Sequence, residues 1–234
     1  MYTALITGSS RGIGKAIAIK FASNGFNVVL HGRNEESLKE VQQKLQVEYP
    51  VIRVVYIVAD LSTTKGIEQF IKCFSELDLG LDVLVNNAGL FLPGPMMEES
   101  SGQFEYLWQV NMSSAYHVTR AMWKLLSKSS RAHVINICSI ASITAYEAGG
   151  TYSLVKHALL GFSKSLRKEG ISKGIRVTSV MPGATLTDSW AGVDLPPDRF
   201  MTPESVANVC YTAFDINQDT VMEEVVIRPI LGDL

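Results

Sequence analysis

A tyrosine and a lysine four positions apart, Tyr152 and Lys156, form the pair with the clearest chemical potential in the sequence. Both fall at the start of a predicted helix, where residues at positions i and i+4 share one face. A lysine ammonium beside a phenol favours the phenolate, so the pair predicts a tyrosine pKa lowered from its usual value of about 10. Such a tyrosine can donate a proton to a substrate oxygen or take one back. Because Tyr-x-x-x-Lys also occurs on many ordinary helices, the pair alone is equally compatible with a structural role.

A glycine-rich turn near the start of the chain could bind a phosphate group. The segment Thr7-Gly8-Ser9-Ser10-Arg11-Gly12-Ile13-Gly14 follows the first predicted strand and leads into a helix. Glycines at such a junction let backbone N–H groups approach a phosphate closely, and the helix N-terminus adds a favourable dipole. The alternative is a tight turn whose glycines serve packing alone, since the spacing Gly-x-x-x-Gly-x-Gly differs from the commonest dinucleotide-binding pattern. Its location at the first strand–helix junction favours a nucleotide site.

The elements that must position these residues alternate along the whole chain. Short β-branched runs predict strands at residues 4–7, 27–31, 53–59, 83–85, 133–138, 176–180 and 224–228. Amphipathic stretches predict helices at residues 14–24, 35–48, 65–76, 101–128, 152–173 and 203–215. Most of the strands are continuously apolar, which is typical of strands covered on both faces. The alternation predicts an α/β fold, a doubly wound parallel sheet of the Rossmann type with helices on both faces.

No repeat or linker-like segment divides the sequence, so we expect residues 1–234 to form a single domain. The segment 187–203 is the longest late break between elements, and we predict that it forms a flap over the site. We call these residues the flap.

Composition excludes several classes of protein. The 234 residues are 47% hydrophobic and carry a net charge of −2, which excludes intrinsic disorder and gives no general attraction to nucleic acid or anionic membranes. The start of the sequence lacks the features of a signal peptide, and no run of about 18 apolar residues predicts a membrane span. Three scattered cysteines and four isolated histidines predict neither a disulfide framework nor a metal site. A cytoplasmic protein is expected.

The sequence resembles the short-chain dehydrogenase/reductase family, in its shorter branch, over nearly the whole chain. The glycine spacing is followed in order by Asp60-Leu61, by Asn86-Asn87-Ala88-Gly89, and by Pro182-Gly183 with Thr187. In that family these segments contact the adenine, shape the cofactor pocket and contact the nicotinamide carboxamide. The resemblance implies a nicotinamide cofactor held by Gly8, Ser10, Arg11, Gly12, Ile13, Gly14, Arg33, Asn34, Asp60, Leu61, Asn87, Ala88, Gly89, Tyr152, Lys156, Pro182, Gly183, Thr185 and Thr187.

The choice between NADH and NADPH depends on charge at the end of the second strand. NAD-specific relatives place an acidic residue there to bind the ribose hydroxyls, and this sequence has Gly32 instead. Arg33 follows directly, and Arg11 lies within the glycine-rich turn. Two guanidinium groups without a carboxylate suit a 2′-phosphate, although both could also be solvated loop charges. The sequence therefore predicts NADP(H) as the cofactor.

The resemblance also assigns catalytic roles to four positions. Tyr152 is implied as the general acid/base, and Ser139 as the hydrogen-bond donor that orients the substrate carbonyl. Lys156 is implied to lower the tyrosine pKa and bind the nicotinamide ribose, while Asn111 supports a water in the proton relay. The expected reaction is reduction of a small-molecule carbonyl by hydride transfer.

Substrate choice is less constrained. Trp190 in the flap could cover a flat substrate or pack in the core. Segments 190–194 and 223–233 resemble bacterial sepiapterin-reductase-like members, which suggests a pterin side-chain carbonyl or a dicarbonyl, with Asp188 or Asp194 as a ring anchor. Alternatives are a 3-oxoacyl-[acyl-carrier-protein] reductase, a non-catalytic NADPH sensor or scaffold, and a sugar-nucleotide epimerase, which the glycine spacing disfavours. The family resemblance further implies a homodimer or homotetramer formed through segments 101–128 and 152–173.

Overall fold

The computed structural model describes residues 1–190, 192 and 194–234, and this part of the chain forms one seven-stranded sheet in which every neighbouring pair is parallel. The strands are β1 (Thr3–Ile6), β2 (Asn27–Gly32), β3 (Val54–Val58), β4 (Val83–Asn86), β5 (His133–Ile137), β6 (Arg176–Pro182) and β7 (Glu224–Ile227). Their order across the sheet is β3-β2-β1-β4-β5-β6-β7. The predicted doubly wound parallel sheet is therefore confirmed. Two flap residues, Ala191 and Val193, lie outside the described residues.

Helices cover both faces of the sheet. They are α1 (Gly12–Ser23), α2 (Glu35–Glu48), α3 (Thr64–Glu76), α4 (Gln103–Trp108), α5 (Ser114–Leu126), α6 (Gly150–Gly170) and α7 (Pro203–Asp215). Alternation along β1 separates two cores, since side chains of successive strand residues point to opposite faces. Ile6 packs in a core with residues of α1, α2 and α7, whereas Leu5 packs with residues of α3, α5 and α6. Within the described residues, no helix has the length and apolarity needed to cross a bilayer.

The long helix predicted at residues 101–128 is divided in the structure. A single π-helical turn, Gln109–Ser113, separates α4 from α5. This turn contains Asn111, whose side chain donates to the carbonyl oxygens of Leu107 at 3.1 Å and Leu90 at 3.0 Å. Such widened turns often mark functional sites, because they redirect one side chain without ending the helix.

The sheet topology predicts where a ligand binds. The chain runs outward from β1 through β2 to β3, then returns to β4 on the other side of β1. In open parallel sheets this reversal leaves a crevice at the carboxyl ends of the strands, between the loops after β1 and β4. The glycine-rich turn follows β1, and Asn87 follows β4, so both lie at this crevice.

We expect the free energy of unfolding to decrease as the pH falls from about 7 to about 5, because two buried histidines resist protonation in the folded chain. Burial lowers the pKa of His31 to about 4 and the pKa of His133 well below its usual value. The unfolded chain binds these protons below about pH 6.5 whereas the folded chain does not. At pH 5 the loss through His31 alone is about 2 kcal/mol.

Urea denaturation at the two pH values measures this loss. The exposed His117 provides a matched control: His117→Asn should keep the full pH dependence, whereas His31→Asn should reduce it. A wild-type protein equally stable at both pH values would contradict the assignment of two neutral buried imidazoles.

Candidate active site

The three glycines of the turn, Gly8, Gly12 and Gly14, form a cradle with little room for a side chain at their positions. Gly8 and Gly12 have φ values of +67° and +53°, which glycine adopts without strain. A Cβ on Gly14 would overlap the carbonyl oxygen of Gly8 and the side-chain amide of Asn87. That amide donates to the carbonyl oxygens of Thr7 at 2.9 Å and Gly8 at 3.0 Å, which fixes the turn against the end of β4.

The start of α1 suits an anion. No side chain among the described residues caps this helix, so its first N–H groups face the crevice without a side-chain acceptor. An uncapped helix N-terminus behind a glycine cradle is the arrangement that binds a dinucleotide pyrophosphate. The residues present therefore fit the cofactor that the sequence implies.

Two charged side chains line the cleft on the other side of the glycine cradle. Exposed Arg33 lines the crevice just beyond Gly32, and Asp60 lines it after β3, where the carboxylate accepts a hydrogen bond from the Ser62 N–H at 3.0 Å. Asn34, predicted to bind cofactor, does not line the described cleft. Its side chain caps α2 by accepting a hydrogen bond from the Ser37 N–H at 2.8 Å.

Arg11 has an ionic partner that the sequence did not predict. Its guanidinium lies 2.7 Å from the carboxylate of Asp188 at the start of the flap, and both side chains are mostly exposed. The adjacent Thr187 methyl would lie 3.3 Å from a Cβ on Gly12, so the flap begins in contact with the glycine turn. Asp188 is therefore engaged by Arg11 in this structure, and the exposed Asp194 does not line the described cleft.

The four residues with predicted catalytic roles meet at the other end of the cleft. Ser139 follows β5 and opens a 3₁₀ turn, Ile140–Ser142, in which its hydroxyl accepts from the Ala141 N–H at 3.1 Å. Tyr152 and Lys156 lie on the first turns of α6. The Lys156 ammonium donates to the Ile137 carbonyl oxygen at 2.9 Å and lies 5.6 Å from the centre of the Tyr152 ring.

Asn111 is held against the loop that follows β4. Its Oδ1 accepts from the Leu90 N–H at 3.2 Å, while its Nδ2 donates to the Leu90 carbonyl oxygen at 3.0 Å. A Cβ on Gly89 would lie 2.8 Å from Asn111 Oδ1 and 3.6 Å from Lys156 Nζ. A glycine at position 89 therefore lets these two polar groups approach the same stretch of backbone.

The pKa of Tyr152 differs from the sequence prediction. Burial raises the pKa of this phenol to about 12, although a hydrogen bond with Ser139 opposes the shift. Burial also lowers the pKa of Lys156 to about 8. The predicted lowering of the tyrosine pKa is therefore wrong for this structure, because burial of the phenol disfavours its charged form and is the largest contribution.

Proline and glycine residues after β6 form the wall beside these four. Pro182, Gly183 and Thr185 line the cleft, and the Thr185 hydroxyl donates to the Gly183 carbonyl oxygen at 3.1 Å. Behind them lies the C-terminal segment, since a Cβ on Gly183 would be 3.2 Å from Pro229 and 3.5 Å from the Asp233 carboxylate.

Aromatic side chains surround the opening above Tyr152. The Phe91 ring lies 4.9 Å from the Tyr152 ring in an edge-on arrangement, and Tyr106 and Tyr146 line the same region. Trp190 lines the cleft and packs edge-on against Phe200, with ring centres 5.2 Å apart. Sequence reasoning missed the other three aromatic residues. Their positions, just after Asn-Asn-Ala-Gly, within α4 and between Ser139 and Tyr152, are the only signal that could have found them.

All the predicted site residues except Asn34 and the alternative ring anchor Asp194 line one continuous cleft of about 660 Å³. A volume of this size suits an extended ligand together with a small second molecule. The cleft has the glycine cradle at one end and a phenol, a hydroxyl and an ammonium at the other.

Known proteins resemble this chain over most of its length. A family model described as short chain dehydrogenase matches residues 2–196. A diacetyl reductase, (S)-acetoin forming, of Staphylococcus epidermidis is 35% identical over 194 residues, which cover 82% of this chain and 74% of that protein. Sepiapterin reductase of Chlorobaculum tepidum is 29% identical over 238 residues, covering 98% of this chain and 97% of that protein.

A solved structure extends the resemblance to three dimensions. An alcohol dehydrogenase from the archaeon Thermococcus sibiricus, complexed with 5-hydroxy-NADP, superimposes with a TM-score of 0.92 at 26% identity. The superposition covers 100% of this chain and 99% of that one. With the family model matched over most of the sequence and the cleft built as described, this chain is an oxidoreductase that belongs to the short-chain dehydrogenase family.

Proposed function

We propose that the protein is an NADPH-dependent reductase of small-molecule carbonyls. The observation that carries this proposal is a single cleft with two different ends. At one end the glycine cradle lies before the uncapped N-terminus of α1, and at the other end lie Ser139, Tyr152 and Lys156. NADPH supplies the hydride that reduces the carbonyl carbon when it is bound in this cleft. We further propose that residues 1–234 form one such domain, because β7 near the end of the chain completes the sheet that β1 begins.

The cradle and its neighbours are proposed to hold the dinucleotide. The first N–H groups of α1 bind the pyrophosphate, and Arg33, with Arg11 when it leaves Asp188, binds the 2′-phosphate. Lys156 binds the nicotinamide ribose from the floor of the cleft. The archaeal alcohol dehydrogenase is complexed with 5-hydroxy-NADP, which supports the same cofactor class for a chain of this fold.

The catalytic residues are proposed to move one proton. Tyr152, with its pKa raised to about 12, is protonated at neutral pH and so is ready to donate to the substrate oxygen in the reductive direction. Ser139 hydrogen-bonds the same oxygen and orients the carbonyl. Asn111, fixed against Leu90, supports the water that returns a proton towards Lys156 and Tyr152.

We propose a vicinal dicarbonyl or a carbonyl on the side chain of a flat ring as the substrate. The opening above the reacting groups is lined by four aromatic side chains, Phe91, Tyr106, Tyr146 and Trp190. Their flat apolar ring faces suit a flat substrate. The similarity to a diacetyl reductase and to a sepiapterin reductase agrees with this choice.

Steady-state NADPH oxidation tests the proposal with a panel of diacetyl, sepiapterin, an aromatic aldehyde and an acetoacetyl thioester. We expect the highest kcat/KM for diacetyl or sepiapterin. A preference for the acetoacetyl thioester would favour acyl-chain reduction instead. Tight NADPH binding without oxidation by any of the four would indicate a sensor or scaffold.

Neutralising Asp188 is expected to strengthen NADPH binding. Asp188→Asn frees the Arg11 guanidinium for the 2′-phosphate and removes a carboxylate from the edge of the cleft. An exposed pair of this kind contributes at most about 1 kcal/mol, so the Kd for NADPH should fall about two- to fivefold. Calorimetric titration measures the change. Asp194→Asn is the matched control and should leave the Kd as it is, while a weaker complex with Asp188→Asn would refute the competition.

Self-association is proposed as well, as a homodimer or homotetramer. Exposed apolar side chains on adjoining helices, such as Tyr116 on α5 and Leu154 on α6, offer a surface for a second copy. Light scattering after size-exclusion chromatography measures the mass, and a monomer at micromolar concentration would contradict the proposal.

A further inference from the structure

One buried side chain joins the two halves of the proposed cofactor site. His31, the fifth residue of β2, is 3% exposed and lies beneath the glycine turn. Its Nδ1 accepts a hydrogen bond from the Gly8 N–H at 3.1 Å, and its Nε2 lies 3.2 Å from the Ala59 carbonyl oxygen. Gly8 opens the cradle, and Ala59 directly precedes Asp60 at the adenine end of the cleft.

These two partners determine the protonation state of the ring. A backbone N–H can only donate, so Nδ1 must be without a proton, and a carbonyl oxygen can only accept, so Nε2 must hold one. The imidazole is therefore neutral, which agrees with a pKa that burial lowers to about 4. The charge of Asp60 raises the pKa of His31 and the charge of Arg33 lowers it, so the two effects oppose each other.

The backbone of His31 also forms hydrogen bonds with the glycine-rich turn. The Ser9 N–H donates to the His31 carbonyl oxygen at 2.8 Å, and the His31 N–H donates to the Ser9 hydroxyl at 2.9 Å. On the side facing α3, the ring packs edge-on against Phe70, with ring centres 5.0 Å apart. Three strand ends and one helix thus meet at a single imidazole, with no freedom to change rotamer without losing a hydrogen bond.

An apolar residue at position 31 would leave a buried donor and a buried acceptor unpaired. Gly8 and Ala59 would then have to shift to find other partners, and each belongs to one half of the site. The distance between the pyrophosphate cradle and the adenine pocket would then no longer be fixed. A dinucleotide must occupy both at the same time, so it would bind less tightly.

We propose that His31 is a positioning residue for the cofactor: its neutral imidazole fixes the glycine turn relative to the adenine pocket and thereby sets the affinity for NADPH. This inference rests on the proposed function only in naming the dinucleotide, since the contacts themselves belong to the folded chain.

Three variants test it. His31→Phe keeps a ring against Phe70 but removes both hydrogen bonds, whereas His31→Asn keeps an acceptor where Nδ1 lies. His133→Phe is the matched control, because His133 is equally buried and bonds Thr178 at 2.7 Å, but lies at the amino end of β5, away from the cleft. All three are compared at a temperature at which urea denaturation shows each to be folded.

Calorimetric titration with NADPH and steady-state kinetics give the first readout. We expect His31→Phe to raise the Kd for NADPH by about tenfold or more, with the loss in KM for NADPH rather than in kcat. His31→Asn should recover most of this affinity, and His133→Phe should lose stability without a change in Kd. An NADPH affinity in His31→Phe equal to that of wild type, or a loss that follows stability across all three variants, would overturn the proposal.

Amide hydrogen exchange without added cofactor gives the second readout. Exchange at the Gly8 amide should accelerate in His31→Phe and not in His133→Phe, since only the first loses its acceptor. If the wild-type protein failed to bind NADPH, the proposed function would be refuted but the positioning role would not. The exchange rate of the Gly8 amide, measured without NADPH, would still show whether His31 holds the turn. Unchanged Gly8 exchange in His31→Phe would overturn the positioning role.

Discussion

Tyr152→Phe is expected to lower kcat by about 10²- to 10⁴-fold while the Kd for NADPH stays within about threefold of wild type. The substitution removes only the hydroxyl, so the ring keeps its edge-on contact with Phe91 and its place beside Lys156. The substrate oxygen then has no group from which to take a proton as the carbonyl carbon is reduced. Single-turnover NADPH oxidation separates this loss from any change in cofactor binding.

Tyr146→Phe is the matched control for that experiment. Tyr146 is a second phenol lining the same cleft, and burial raises its pKa to about 12 as well. It is not on the helical face that presents Lys156, so its loss should affect KM for the carbonyl more than kcat. Retention of more than a few per cent of kcat by Tyr152→Phe, or an equal loss in Tyr146→Phe, would refute Tyr152 as the proton donor.

Gly32→Asp is expected to reverse the preference for NADPH over NADH. A Cβ at position 32 would lie 3.4 Å from both Leu38 and the Ser10 hydroxyl, which is ordinary contact, so the chain accommodates a side chain there. The new carboxylate would face the 2′-phosphate beside Arg33 and would bind the ribose hydroxyls of NADH. Placing the new carboxylate next to the 2′-phosphate costs several kcal/mol of binding free energy, so kcat/KM with NADPH should fall about 100-fold.

Gly32→Asn separates charge from size in that test. Asparagine has nearly the same shape without the negative charge, so its kcat/KM with NADPH should fall by less than about fivefold. Equal losses in the two variants would show that space and not charge sets the preference. Comparable kcat/KM for NADH and NADPH in the wild-type protein would contradict the cofactor assignment at its root.

The sheet and the glycine turn can be predicted from the sequence because both depend on residues that are close together along the chain. Continuous apolar runs specify strands covered on both faces. Gly8 and Gly12 have positive φ values that favour glycine, and a Cβ on Gly14 would overlap neighbouring atoms. The position of Tyr152 and Lys156 on one helical face follows from their spacing alone.

Features that depend on distant partners could not be predicted in this way. The π-helical turn at Asn111 is tied to Leu90, and Arg11 meets Asp188 across 177 positions of sequence. The raised pKa of Tyr152 reflects burial by several elements, which no helical spacing reveals. The cap that Asn34 forms on α2 could not be foreseen either, because the same residue type serves equally well as a helix cap and as a ligand.

Transfer of deuterium from NADPH labelled at nicotinamide C4 to a carbonyl substrate tests the central claim most directly. The wild-type protein is incubated with each C4-labelled epimer and diacetyl, or sepiapterin where that is the better substrate, and the product alcohol is analysed by mass spectrometry. We predict one deuterium on the new carbinol carbon from one epimer only, with an initial rate of transfer lowered about 10²- to 10⁴-fold in Tyr152→Phe. Tight binding of NADPH with no deuterium transferred to any carbonyl of the panel would contradict the account.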